Sequence, residues 1–116
     1  MTATALQETA TWVQVCKTQD LVPDTGVCAL VNNKQVAIFY SKRLNKLFAV
    51  DNFDPIGKAN VLSRGIIGSI GGRVCVASPL YKQHFDLETG ECLEDSAHRI
   101  GVYPVEDNKG VIRVSV

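Results

Sequence analysis

VDNFDPIGKANVLSRG (residues 50–65) and CVASPLYKQHFDLETG (residues 75–90) hold the two irregular segments of this chain, 52–64 and 78–82. Neither shows the roughly 3.6-residue apolar period of a helix, and neither is long or polar enough to read as a linker. Each carries one proline, Pro55 and Pro79. Proline fixes φ, so both segments read as stiffened loops.

Outward from these loops the pattern is one of short alternating runs between turn signals. Thr11–Cys16 (TWVQVC), Gly26–Val31 (GVCALV), Gln35–Ser41 (QVAIFYS) and Leu47–Asp51 (LFAVD) precede the first loop. Gly65–Ile70 and Arg73–Ala77 form a hairpin across Gly71-Gly72, and Phe85–Leu87 follows the second loop. Arg99–Val105 and Val111–Val116 close the chain around Asp107-Asn108-Lys109-Gly110. Asp24-Thr25-Gly26, Leu44-Asn45-Lys46 and Glu88–Glu91 are the remaining turns. Asn32-Asn33 predicts a tight hairpin, because Asn tolerates the positive φ that a two-residue turn requires. In the third strand Val36, Ile38 and Tyr40 share one face, since side chains alternate with period two. Many short strands with frequent turns predict an all-β sandwich of antiparallel sheets, with a smaller subdomain at about 51–90 that bears the loops.

Composition bounds the rest. The 116 residues predict a single domain spanning 1–116. Hydrophobic residues make up 46% and charged residues 21%, which fits a folded core and excludes disorder. Twelve basic side chains balance twelve acidic ones, so nothing suggests a nucleic-acid partner. Zero net charge suits a chain that works inside a complex. No stretch approaches the ~20 apolar residues of a membrane span, and the polar N-terminal segment 1–11 does not resemble a secretory signal. A soluble cytoplasmic protein is the expectation. Cys16, Cys28, Cys75 and Cys92 lack C-x-x-C spacing and read as free thiols.

The two loops together resemble the cluster-binding loops of Rieske iron–sulfur proteins and Rieske-type ferredoxins. The matching positions are Asp51-Asn52, Pro55, Leu62-Ser63 and Gly65 in the first, and Pro79, Phe85-Asp86-Leu87 and Thr89-Gly90 in the second. The resemblance implies a Rieske-type sandwich. It also equates Asp54 and Ile56 with the Cys and His ligands of the first loop, and Ser78 and Tyr81 with those of the second. A Rieske centre needs two thiolates on one iron and two imidazoles on the other. Isoleucine has no donor atom, and carboxyl or hydroxyl oxygens do not match that set. No cluster is therefore expected. Instead, Ile56 is expected to plug the space between the loops, with the Tyr81 ring added to the plug and its hydroxyl at the surface.

A Rieske layout with D-P-I in one loop and S-P-L-Y-K-Q-H-F in the other is similar to the small subunits of assimilatory NADH-dependent nitrite reductases. That resemblance implies a cofactor-free partner of a large catalytic subunit that carries FAD, an iron–sulfur cluster and siroheme and reduces nitrite to ammonia. Two other readings stand beside it: a [2Fe–2S] electron carrier with atypical ligands, and a cluster-free binding module outside nitrogen metabolism.

Other residues invite functional readings that the sequence does not carry. Asp51 and Asp54 lack the spacing of a calcium loop and suit turn capping. Cys75 has no second Cys-His pair beside it and no nominated base. Gly65, Gly68, Gly71 and Gly72 read as strand and hairpin rather than as a phosphate loop. His98 has no assigned role. Lys58, Arg64 and Lys82 fall on or beside the loops and are candidates for docking a partner, with His84 as a further candidate contact.

Overall fold

The computed structural model describes residues 12–116; Thr11, expected to open the first strand, and the polar segment 1–11 lie outside them. The strands are β1 (Trp12–Lys17), β2 (Gly26–Val31), β3 (Lys34–Ser41), β4 (Lys46–Asp51), β5 (Phe53–Asp54), β6 (Ala59–Asn60), β7 (Ile66–Ile70), β8 (Arg73–Ala77), β9 (His84–Asp86), β10 (Val102–Tyr103), β11 (Val105–Asn108) and β12 (Val111–Ser115). All pairings are antiparallel. A four-stranded sheet in the order β10-β4-β3-β2 lies between two three-stranded sheets, β1-β12-β11 and β7-β8-β9. The expected all-β sandwich is what the chain forms.

The middle sheet is buried on both faces. Along β3, Val36, Ala37, Ile38 and Phe39 are all fully buried. Val36 and Ile38 pack with Val31, Ala49, Ile112 and Val114 toward β12. Ala37 and Phe39 point the other way, into a cluster with Phe48, Val50, Leu62, Val76, Phe85 and Leu87. A strand covered on both sides reads as a continuous apolar run, which explains V-A-I-F. Tyr40, on the Val36 side, is only half-buried and donates its hydroxyl to Asn45 Oδ1 at 2.9 Å.

The hairpins follow the turn chemistry. Asn32 and Asn33 have φ of 50° and 66°, and Gly71 and Gly72 have φ of 57° and 81°. Positive φ at both central residues matches the right-handed twist of the flanking strands.

Two expectations need correction. Arg99–Val105 is not one strand. Arg99 only bridges Glu91, Val102–Tyr103 pairs with β4, and Val105–Asn108 pairs with β12. Pro104 sits at the break; it has no N–H to give a ladder, so the chain changes sheets there. Its carbonyl still accepts the N–H of Ser115 at 3.0 Å. The first irregular segment also holds the short β5–β6 hairpin and a 3-10 turn at Leu62–Arg64, elements too short to show a period.

Phe39 is the largest fully buried side chain that the middle sheet gives to the cluster on the loop-bearing side. Phe39→Ala is expected to lower stability by about 3–5 kcal/mol, measured by urea denaturation of the purified domain.

Candidate functional site

The two loops are built alike. In the first, Asp54-Pro55-Ile56-Gly57-Lys58 forms one turn, closed by the Lys58 N–H donating to the Asp54 carbonyl at 2.7 Å. In the second, Ser78-Pro79-Leu80-Tyr81-Lys82 forms the same turn, closed by Lys82 N–H to the Ser78 carbonyl at 3.0 Å. The side chain that opens each turn caps its own loop. Asp54 Oδ1 accepts the N–H groups of Ile56 and Gly57 at 2.8 and 3.0 Å. Ser78 Oγ accepts the N–H of Leu80 at 3.3 Å. Lys58 and Lys82 end the turns in the left-handed region, with φ of 58° and 66°.

The two caps then meet. Ser78 Oγ donates to Asp54 Oδ2 at 2.5 Å, and both residues are fully buried. Gly57 lies against the second loop: a Cβ there would stand 2.4 Å from Leu80 Cδ1. The loops thus join through one buried polar contact and one close apolar contact.

The bases of the loops are anchored separately. Asn52, 2% exposed, accepts the N–H of Ser63 on Oδ1 at 2.7 Å and donates from Nδ2 to Gln35 Oε1 at 2.9 Å. Its carbonyl accepts the N–H of Leu62 at 3.0 Å, so one residue ties the start of the first loop to its end. Asp51 accepts the N–H of Gly101 at 2.7 Å and the Tyr103 hydroxyl at 2.5 Å. Burial and the adjacent Asp51 carboxyl push the Tyr103 hydroxyl up. Asp86 secures the far side of the second loop, accepting the N–H groups of Glu88 and Thr89 and Arg73 Nε at 2.7, 3.0 and 2.7 Å. Burial pushes its carboxyl up, but the Glu88 N–H, the Arg73 guanidinium and the Thr89 N–H outweigh that and hold it below the usual range. No local pattern announces the partners of Asn52, which come from the 3-10 turn at the loop's end and from Gln35 on β3.

The remaining candidates separate cleanly. Ile56 is half-buried against the cluster around Phe39 and Phe85. Tyr81 is 64% exposed, so its ring does not join the apolar plug; Leu80 takes that place over Gly57. The turn geometry explains this, since Tyr81 follows the capped residue and faces outward. His84 is engaged inside the domain: its Nδ1 lies 2.6 Å from Glu94 Oε2, and its backbone N–H donates to Glu94 Oε1 at 2.7 Å. His98 pairs locally with Asp95. Cys75 is buried on β8, and burial pushes its thiol up, away from the thiolate form. Lys58, Arg64 and Lys82 are exposed.

Residues 11–115 match the Rieske-like [2Fe-2S] domain family. The nitrite reductase (NADH) small subunit of Escherichia coli K12 is 43% identical over 103 residues, 89% of this chain and 95% of that protein. The chain belongs to this small-subunit family. An NMR structure of the E. coli protein NirD superposes with a TM-score of 0.83 at 42% identity, covering 91% of this chain and 96% of that one. A segment of the Klebsiella oxytoca nitrite reductase [NAD(P)H] large subunit is also 33% identical over 103 residues; it spans 89% of this chain but 11% of that protein.

Family membership raises the question of a [2Fe–2S] centre, and the side chains at the equated positions do not fit one. Ile56 offers no donor, Tyr81 points to solvent, and Asp54 and Ser78 are bonded to each other where two thiolates would share an iron. Among the described residues no three His, Cys, Asp or Glu side chains converge as a metal site.

Three outcomes are expected here. Ser78→Ala leaves the buried Asp54 Oδ2 without its donor and should lower stability by about 1–3 kcal/mol in chemical denaturation. Ile56→Ala, at a half-buried site, should cost about 1–2 kcal/mol in the same assay. Asp86 has its pKa lowered by folding, so its contribution is present above the ordinary carboxylate range and fades as pH falls through and below ~4. Asp86→Asn should flatten that acid limb in thermal melts recorded across pH.

Proposed function

We propose that this chain is the small subunit of an NADH-dependent nitrite reductase, which reduces nitrite to ammonia in nitrite and nitrate assimilation. It acts in the cytoplasm as a cofactor-free partner of the large catalytic subunit. The flavin (FAD), iron–sulfur cluster and siroheme that carry the electrons belong to that large subunit. The chain works by contact and shape.

The observation that carries this reading is the Ser78–Asp54 hydrogen bond. It closes the loops of a Rieske-like domain with oxygen atoms already committed to each other, so the domain keeps its form by hydrogen bonding and packing. The Klebsiella large subunit, which contains a matching segment within one polypeptide, supports a working contact between this domain and a reductase.

The test is reconstitution. Ammonia formation from nitrite with NADH is followed for the large subunit with and without this chain. The chain alone is expected to be inactive and to hold no stoichiometric iron or acid-labile sulfide, and its addition is expected to raise the turnover or the lifetime of the large subunit. Stoichiometric sulfide on correctly folded chain, or no effect on the large subunit, overturns the reading.

A further inference from the structure

The tips of the two loops bring exposed cations and exposed apolar side chains together. Asp54 is the sole acidic residue between positions 53 and 83, and it is fully buried beneath the turns. Lys58 and Lys82 occupy equivalent positions in the two matched turns, both exposed. Of the nine cations elsewhere, four are neutralised locally: Lys34 by Asp51, Lys46 by Glu88, Arg73 by Asp86 and Glu91, and Arg113 by Glu106. Among the described residues, Lys58, Arg64 and Lys82 enter no ion pair. The tip is therefore a local excess of positive charge on a chain whose net charge is zero.

Its centre is apolar. Leu80 is 44% exposed and Tyr81 64% exposed, and both lie in the turn that ends at Lys82. A large aromatic ring and a leucine left in water, flanked by cations, have the composition of an interface centre with a charged rim. The turns that present them are fixed by the Asp54 and Ser78 caps, so little order has to be gained on binding.

We infer that this tip docks on the large subunit, with Tyr81 and Leu80 entering an apolar depression and Lys58 and Lys82 facing carboxylates on its rim. The inference rests on the small-subunit reading above. His84 takes no part, because Glu94 holds it.

The test measures affinity between this chain and the purified large subunit by titration calorimetry or sedimentation, at about 0.05 and 0.5 M salt. Rim charges of this kind weaken with screening. The wild-type chain should bind more tightly at low salt. The double reversal Lys58→Glu with Lys82→Glu should weaken binding by about tenfold or more at low salt and remove most of the salt dependence. Tyr81→Ala should weaken binding at both salt levels. The matched control is Lys42→Glu with Arg43→Glu. Arg43 lies beside Ser69 and Gly72, at the hairpin end of β7–β8, away from Ala77 and the tip. The control should bind as wild type. All five positions are exposed, and unchanged melting temperatures establish that the variants are folded. If the wild-type chain binds but the Lys58/Lys82 reversal and Tyr81→Ala bind equally well, the docking surface is wrong while the small-subunit reading stands. If the wild-type chain does not bind at all, the small-subunit reading falls and this inference with it.

Discussion

The Ser78 hydroxyl and the Asp54 carboxyl meet out of contact with water, 24 positions apart in sequence, and the loop-bearing half of the domain is arranged around that meeting. A buried polar group is tolerable only when its hydrogen bonds are made. Asp54 meets this condition with two backbone N–H donors from its own loop and one hydroxyl from the other. Ser78 meets it by donating to Asp54 and accepting from Leu80. Neither loop can move away without leaving the other loop's cap unsatisfied. Two stiff proline-containing turns are thereby held in register by side chains of the chain itself.

This arrangement shows how a Rieske-like domain persists with a different set of side chains where ligands would stand. A cluster crosslinks two loops by coordination. Here a short hydrogen bond, the contact of Leu80 with Gly57 and the packing of Ile56 supply the crosslink from ordinary side chains. Outside the tip, Asn52 binds the first loop to β3 through Gln35, and Asp86 binds the far side of the second loop to β8 through Arg73. The sheets and anchors make the scaffold, and the tip is carried on it.

Much of this was legible in the amino-acid sequence. Asn32-Asn33 and Gly71-Gly72 announced their hairpins through the positive φ that those residues accept. Pro55 and Pro79 marked the stiff loops, and the spacing of Asp-Asn, Leu-Ser and Phe-Asp around them carried the family resemblance. What escaped was set by contacts distant in the chain. Alternation places Val36 and Ile38 on one face but does not say that Ala37 and Phe39 are equally buried on the other. A period-two pattern ran through Arg99–Val105, yet Pro104 split it between two sheets. Tyr81 looked like a core aromatic by type, and the geometry of its turn put it in water instead. The partnership of Asp54 with Ser78 has no local signature at all.

Because β3 and β4 are clad on both sides, the domain has two apolar cores that share these two strands. Loosening one core strips cover from the strands that the other core packs on, so the two are coupled through β3 and β4. The shape of the tip is thereby tied to the packing of a sheet on the opposite side of the molecule.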